Sequence, residues 1–261
     1  MIDGVLFDLD GVFYEGNRPV PGGDEVLATL RARGVPFRLV TNTTSRSRDA
    51  LVEKLAGLGT EVEPDAILTP VVAAAGWLAA RERVPVAPFF PDATRVDLGD
   101  VEQVPADAES GAGAVVVGDL GEAWDFAQLN RAFRLLMAEP RPALVALGMT
   151  RYWKAEDGLR LDTAPFVKAL EHAAGVDAVV LGKPAAAFFE AACERLGADP
   201  ARTLMVGDDV RTDVGGAQAA GLQGALVRTG KFRPADLEGD VVPDLVLASV
   251  AELLHQLDAA R

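Results

Sequence analysis

Residues 1–12 read Met-Ile-Asp-Gly-Val-Leu-Phe-Asp-Leu-Asp-Gly-Val. A short apolar run, Val5 to Phe7, stops in two carboxylates, Asp8 and Asp10, followed by Gly11. Strand side chains two apart point the same way, so the spacing predicts both carboxylates converging at the carboxyl end of a buried strand. Open α/β sheets hold their ligands at that end. Two anions side by side repel one another, and a cation relieves them. A hard ion with oxygen ligands, such as Mg²⁺, suits the pair. The competing reading is a solvated turn, since Asp and Gly are ordinary turn residues.

Outward from this stretch, strands alternate with helices. Strands are expected at Val5–Leu9, Pro36–Thr41 and Ile67–Leu68, with helices over Gly22–Arg33 and Ser47–Leu58. Gly34 and Gly59 stop those helices. A second alternation runs through strands Ala178–Leu181, Thr203–Val206, Gly224–Val227 and Leu245–Val246. Its helices are Ala185–Leu196, Asp213–Ala220 and Val250–Ala259. The pattern predicts an α/β fold: a Rossmann-like doubly wound parallel sheet core assembled from residues 1–81 and 176–261. Residues 82–175 break the rhythm and read as an inserted smaller α/β cap domain. They begin in a Pro-rich stretch (Pro85, Pro88, Pro91, Pro105). A strand Ala114–Val117, a helix Phe126–Ala138, a strand Ala143–Leu147 and a helix Pro165–Ala174 follow.

Three further segments supply parts of one site. Thr41-Asn42-Thr43-Thr44-Ser45 ends the second strand with hydroxyls, an amide and backbone N–H groups, the donors that phosphate oxygens take. A Ser/Thr cap for the next helix explains the same residues, and both can hold at once. Gly182-Lys183-Pro184 follows a strand, which sets an ammonium at the sheet mouth to meet carboxylates and a phosphoryl group; a solvated loop lysine is the alternative. Gly207-Asp208-Asp209-Val210-Arg211-Thr212-Asp213 brings three carboxylates to another strand end, with Asp213 also read as a helix cap.

Composition narrows the partners. The 261 residues carry 25 Lys plus Arg against 39 Asp plus Glu, a net charge of −14. Such a surface repels nucleic acid and anionic membranes, so neither is expected as a partner. A phosphorylated substrate then needs a metal and local cations. Cys193, the single cysteine, excludes a disulfide framework and reads as an inert buried thiol. No run of about 18 apolar residues spans a membrane. With a strand starting almost at residue 1, no signal peptide is expected, and the location expected is cytoplasmic.

Taken together, Asp8-x-Asp10, Thr41-Asn42, Gly182-Lys183-Pro184 and Gly207-Asp208-Asp209-x-x-x-Asp213 resemble, in order, the four motifs of the haloacid dehalogenase superfamily of phosphatases. The insertion resembles that superfamily's type II cap. Arg151 to Lys154, Asp157-Gly158-Leu159, Lys168 to Glu171, Gly215 to Gln218 and Val227 to Pro234 resemble the branch containing the phospholysine phosphohistidine inorganic pyrophosphate phosphatases. One departure is that Thr43 and Thr44 stand where relatives often carry a second Asn.

The resemblance implies a Mg²⁺-dependent phosphatase acting on a small phosphorylated substrate. It makes Asp8 the nucleophile, forming an aspartyl-phosphate, and Asp10 the general acid and base. Metal ligands would be the carboxylates of Asp8 and Asp208 and the backbone carbonyl of Asp10. Thr41, Asn42 and Lys183 would hold the phosphoryl oxygens, with Asp209 and Asp213 in support. Arg151, Tyr152, Trp153 and Lys154 would face the substrate or form a half-buried strand. A homodimer through the caps is also implied. A phosphomutase also keeps both Asp8 and Asp10. A non-catalytic phosphate-binding protein would be expected to have lost Asp8, Asp10 or Lys183.

Overall fold

The computed structural model describes residues 2–155 and 157–259. In chain order the strands are β1 (Gly4–Phe7), β2 (Tyr14–Glu15), β3 (Arg18–Pro19), β4 (Phe37–Val40), β5 (Ile67–Leu68), β6 (Val86–Phe89) and β7 (Ala114–Val117). They continue as β8 (Ala143–Ala146), β9 (Tyr152–Ala155), β10 (Gly158–Leu161), β11 (Val179–Val180), β12 (Thr203–Gly207), β13 (Gln223–Val227) and β14 (Leu245–Leu247). Two compact units divide the chain, one formed by residues 1–41, 48–68 and 183–261, the other by residues 42–47 and 69–182.

The first unit is built on a six-stranded parallel sheet in the order β14-β13-β12-β1-β4-β5. The chain runs outward from β1 through β4 and β5, then returns to β1's other side as β12, β13 and β14. The strand order therefore reverses at β1, and the carboxyl end of β1 is the topological switch point where open sheets bind ligands. Both faces of the sheet are covered, so its central strands are apolar throughout: Val5, Leu6, Phe7, Leu204, Met205 and Val206 are fully buried. Side-chain alternation sorts them. Val5, Phe7, Leu204, Val206, Ala225 and Val227 share one cluster with Val26, Leu27 and Leu30 of the helix Gly23–Ala32 and Leu51 and Leu55 of the helix Arg48–Gly57. Leu226 faces the other way, onto Val210 and Val214.

In the second unit a four-stranded parallel sheet has the order β11-β8-β7-β6. Its core draws Ala132, Leu135 and Leu136 from the helix Phe126–Met137 and Val167 and Leu170 from the helix Thr163–Ala174. One expectation is corrected here. The strand before Lys183 does not join the six-stranded sheet; Val179 and Val180 pair with Val145 and Ala146 at the edge of this second one. Short apolar strands carry no mark of which sheet they join, and only the pairing decides. The Pro-rich stretch contains β6, with Pro88 inside it. A strand at a sheet edge tolerates proline because its N–H need not join a ladder.

Candidate active site

The chain turns sharply after β1. Val12 and Phe13 both donate their N–H to Leu9 O, and Gly11 sits at φ +78°, in the left-handed region. In this turn the two carboxylates take different partners. Asp8 continues the strand line, with its N–H on Val206 O at 2.8 Å, but Asp10 lies beyond it, in the turn. The Asp10 carboxylate accepts the Tyr14 hydroxyl at 3.3 Å. Asp8 converges instead with Asp208 and Asp213: one ligand atom from each lies within 4.8 Å of the others, and all three residues are buried.

Lys183 reaches into this acidic group. Its ammonium lies 2.9 Å from Asp8 Oδ1 and 2.7 Å from Asp213 Oδ1, and the residue is only 4% exposed. The solvated-lysine reading does not hold. Burial alone would lower the lysine's proton affinity, but Asp213 and Asp8 raise it well above the ordinary value, so it stays charged. Asp8 is pushed up by burial against the pull of Lys183, with Asp208 adding repulsion. Burial likewise pushes Asp208 and Asp213 each up to about 6.

The segment after β12 forms a π-helical turn, Val210–Gly215, followed by the short helix Gly216–Ala219, in place of a single helix from Asp213. Its cap is Asp209, not Asp213: Asp209 Oδ1 accepts the N–H groups of Arg211 and Thr212, each at 3.0 Å. Burial would raise the Asp209 carboxyl, but those N–H groups hold it low. Its own N–H donates to Asp213 Oδ2 at 3.1 Å, which aims Asp213 back at Lys183. Thr41, buried, ends β4 with its N–H on Leu68 O at 3.2 Å. Asn42 begins the second unit, where its side chain lies against Gly182. In that unit Tyr152 and Trp153 are 52% and 43% exposed on β9; the Lys154 side chain lies outside the described residues.

One strand end escaped the sequence reading. Beyond β13, Thr229 Oγ1 donates to Gly11 O, Gly230 N–H to Glu15 Oε1 at 2.6 Å, and Lys231 N–H to Asp208 Oδ2 at 2.7 Å. The Lys231 side chain is exposed at the rim. Burial would lower its proton affinity, but Asp208, then Asp8, Asp209 and Asp213, raise it. The same rule that singled out the other strand ends points to this one. Packing is tight here: a Cβ on Gly11 or on Gly230 would overlap the Asp208 carboxylate.

A divalent cation fits these groups. Asp208 Oδ1 is buried and has no hydrogen-bond partner among the described residues. Three buried carboxylates face one buried ammonium, leaving negative charge in excess. A buried charge needs compensation, and an all-oxygen set of donors suits Mg²⁺.

Sequence comparison agrees with this arrangement. A family model described as haloacid dehalogenase-like hydrolase matches residues 5–96, and a second model of HAD-like hydrolases matches residues 180–253. The chain is 35% identical over 266 residues to the human phospholysine phosphohistidine inorganic pyrophosphate phosphatase, covering 98% of this chain and 96% of that protein. It is 42% identical over 234 residues to the human haloacid dehalogenase-like hydrolase domain-containing protein 2, covering 90% and 87% respectively. Among solved structures, a p-nitrophenyl phosphatase from Archaeoglobus fulgidus superposes with a TM-score of 0.86 at 28% identity, covering 98% and 99% of the two chains. A reversing parallel sheet with its acidic cluster at the switch point, relatives of this identity along nearly the whole chain, and a matching solved phosphatase fold give one conclusion: the chain belongs to the haloacid dehalogenase-like phosphatases.

Proposed function

We propose that the chain is a Mg²⁺-dependent phosphatase that hydrolyses a small phosphorylated molecule through an aspartyl-phosphate on Asp8. The observation that carries this reading is the Lys183 ammonium held 2.9 Å from Asp8 Oδ1 inside a buried carboxylate group. Asp8 Oδ1 also accepts the Leu9 N–H at 2.8 Å. Both contacts fall on one oxygen, which leaves Oδ2 to attack phosphorus.

In the first step Asp8 Oδ2 bonds to phosphorus as the bond to the leaving group's oxygen or nitrogen breaks, and Asp10 gives that atom its proton. In the second, water attacks the phosphoryl group, Asp10 takes the water's proton, and the phosphorus–Asp8 bond breaks to release phosphate. Lys183, Thr41 and Asn42 bind the phosphoryl oxygens. Asp208 and Asp8, with the Asp10 carbonyl, would hold Mg²⁺, which when bound neutralises charge on the phosphoryl group. Asp209 and Asp213 orient Lys183. Lys231 adds a second cation at the rim.

Residues 82–175 act in this reading as the cap that selects the leaving group. The candidate substrates include phosphoric monoesters, phosphoramidates and pyrophosphate. Two relatives support the range, one named for phospholysine, phosphohistidine and pyrophosphate, the other for p-nitrophenyl phosphate. The protein is read as cytoplasmic and as a homodimer through the inserted unit. What supports pairing is an exposed apolar face on the hairpin, with Tyr152, Leu159 and Leu161 each more than half exposed. No helix among the described residues is long and apolar enough to cross a membrane.

The test is a phosphate-release screen with and without Mg²⁺. Its panel holds p-nitrophenyl phosphate, pyrophosphate, phosphohistidine, phospholysine, phosphoglycolate, pyridoxal phosphate and nucleoside monophosphates, with Asp8→Asn as control. Release that needs Mg²⁺ and disappears in Asp8→Asn supports the proposal. Equal release from the variant, or none from any compound with Mg²⁺ bound, overturns it.

A further inference from the structure

Within the second unit, a cavity of about 500 Å³ opens beside the edge strand β6, lined among others by Phe89, Arg95, Gln103, Gln128 and Arg131. One acid, Asp92, and two guanidinium groups, Arg95 and Arg131, share the cavity wall. Neither is fully committed to a partner. Arg95 pairs through Nη2 with Asp92 at 2.9 Å, but Asp92 is itself 86% exposed. The Arg95 Nε is buried with no hydrogen-bond partner among the described residues.

Arg131 donates Nε to Ala108 O at 3.0 Å and Nη2 to Pro105 O at 3.3 Å. Carbonyls hold the side chain in place, and Asp107 and Glu109 offset part of its charge. Of the nearby acids, Glu109 is taken by Arg134 at 2.5 Å. The Arg131 guanidinium also lies over the Phe89 ring, 4.9 Å from its centroid. Burial and then the charge of Arg95 lower its proton affinity, against the pull of Asp107 and Glu109. Phe89 in turn stacks on Trp124, with centroids 5.8 Å apart.

We propose that this cavity binds a small organic oxyanion, its phosphate or carboxylate head taken by Arg95 and Arg131 and its apolar body laid against Val104, Leu120 and Ala123. An unfilled guanidinium edge beside an apolar wall recognises that combination: charge-assisted hydrogen bonds fix the head, and the apolar side chains take the body. Gln103 and Gln128 supply neutral donors that would not add to the charge. The inference does not depend on the phosphatase reading, because every residue it uses belongs to the second unit.

The test uses full-length protein and two non-hydrolysable probes, phenylphosphonate and benzoate, which separate the two heads. Side-chain amide signals of Gln103 and Gln128 report binding by NMR. Both signals are expected to shift saturably with at least one probe, and Arg95→Gln to weaken that response about tenfold. Ala123→Trp, which fills the cavity without touching a charge, is expected to abolish the response while the circular-dichroism spectrum and melting temperature stay at the parent values. If neither signal moves, or if the shifts survive unaltered in a folded Arg95→Gln or Ala123→Trp protein, the site does not exist as described.

Discussion

Lys183 Nζ lies nearer to Asp213 Oδ1, at 2.7 Å, than to Asp8 Oδ1, at 2.9 Å, and all three side chains are almost fully buried. The ammonium is thus anchored from behind by Asp213 and presented to Asp8. Lys183→Met removes the buried cation and leaves two carboxylates facing each other without it. Breaking a buried pair in this way costs about 3–5 kcal/mol. The variant is expected to melt well below the parent in chelator and to recover part of the loss with Mg²⁺, while turnover falls by about 10²–10³. Calorimetry with and without the ion measures the first, and steady-state kinetics the second. Unchanged melting would mean that the cluster does not carry the charges assigned to it.

Gly11 combines a left-handed backbone with a carboxylate neighbour that leaves no room for a side chain. Gly11→Ala meets both obstacles. A non-glycine residue held there costs about 1–3 kcal/mol, and the added methyl displaces the Asp208 carboxylate. Expected results are a lower melting temperature and weaker Mg²⁺ binding, read by isothermal titration. Gly16 also has positive φ, but a Cβ there meets nothing within 4 Å. Gly16→Ala therefore gives the backbone cost alone and should leave ion affinity at the parent value.

Tyr14 is buried, and its hydroxyl reaches Asp10 at 3.3 Å. It fixes the carboxylate that the proposed mechanism uses to move protons. Tyr14→Phe keeps the ring and removes only the hydroxyl. Loss of one hydrogen bond of this kind is worth about 1 kcal/mol, so kcat should drop about fivefold with KM unchanged. A rise in KM with kcat intact would assign Tyr14 to substrate binding instead.

Much of the six-stranded sheet could be read from sequence because its central strands are short apolar runs that end in chemistry: Phe7 before Asp8, Val40 before Thr41, Val206 before Gly207 and Asp208. Where the pattern gave no period, the reading stopped. The helix Pro70–Ala80 is apolar nearly all round, so no helical stripe marked it. Thr69 accepting the Val72 N–H and Pro70 at the first turn were its only local signals. The turn that separates Asp10 from Asp8 also lay beyond reach. Strand alternation does not carry two residues past Phe7, because Leu9 O already closes a turn onto Val12 and Phe13. The Thr229–Lys231 strap follows a strand end like the other segments, but two of its three bonds reach residues more than 200 positions away, so its partners are not legible locally.

Proton and metal ion compete for Asp208. Burial, opposed by the Lys231 N–H and the Lys231 charge, holds its carboxyl up to about 6 against an ordinary value of 3.8. Mg²⁺ needs the deprotonated form, so the ion's affinity should fall as the pH drops through 6. A carboxyl at that value is about nine-tenths protonated one unit below it, which makes binding at pH 5 about tenfold weaker than at pH 7. Stability without the ion has the opposite slope. A carboxyl raised in the folded state favours folding most fully below its unfolded value and loses that contribution as the pH rises through about 6. Chelator-treated protein should therefore lose the Asp208 contribution between pH 4 and pH 7, and saturating Mg²⁺ should restore stability at the upper end. Isothermal titration at pH 5 and 7, set beside melting curves with and without Mg²⁺, measures both slopes on one preparation. Ion affinity that is equal at the two pH values would show that Asp208 is not a ligand.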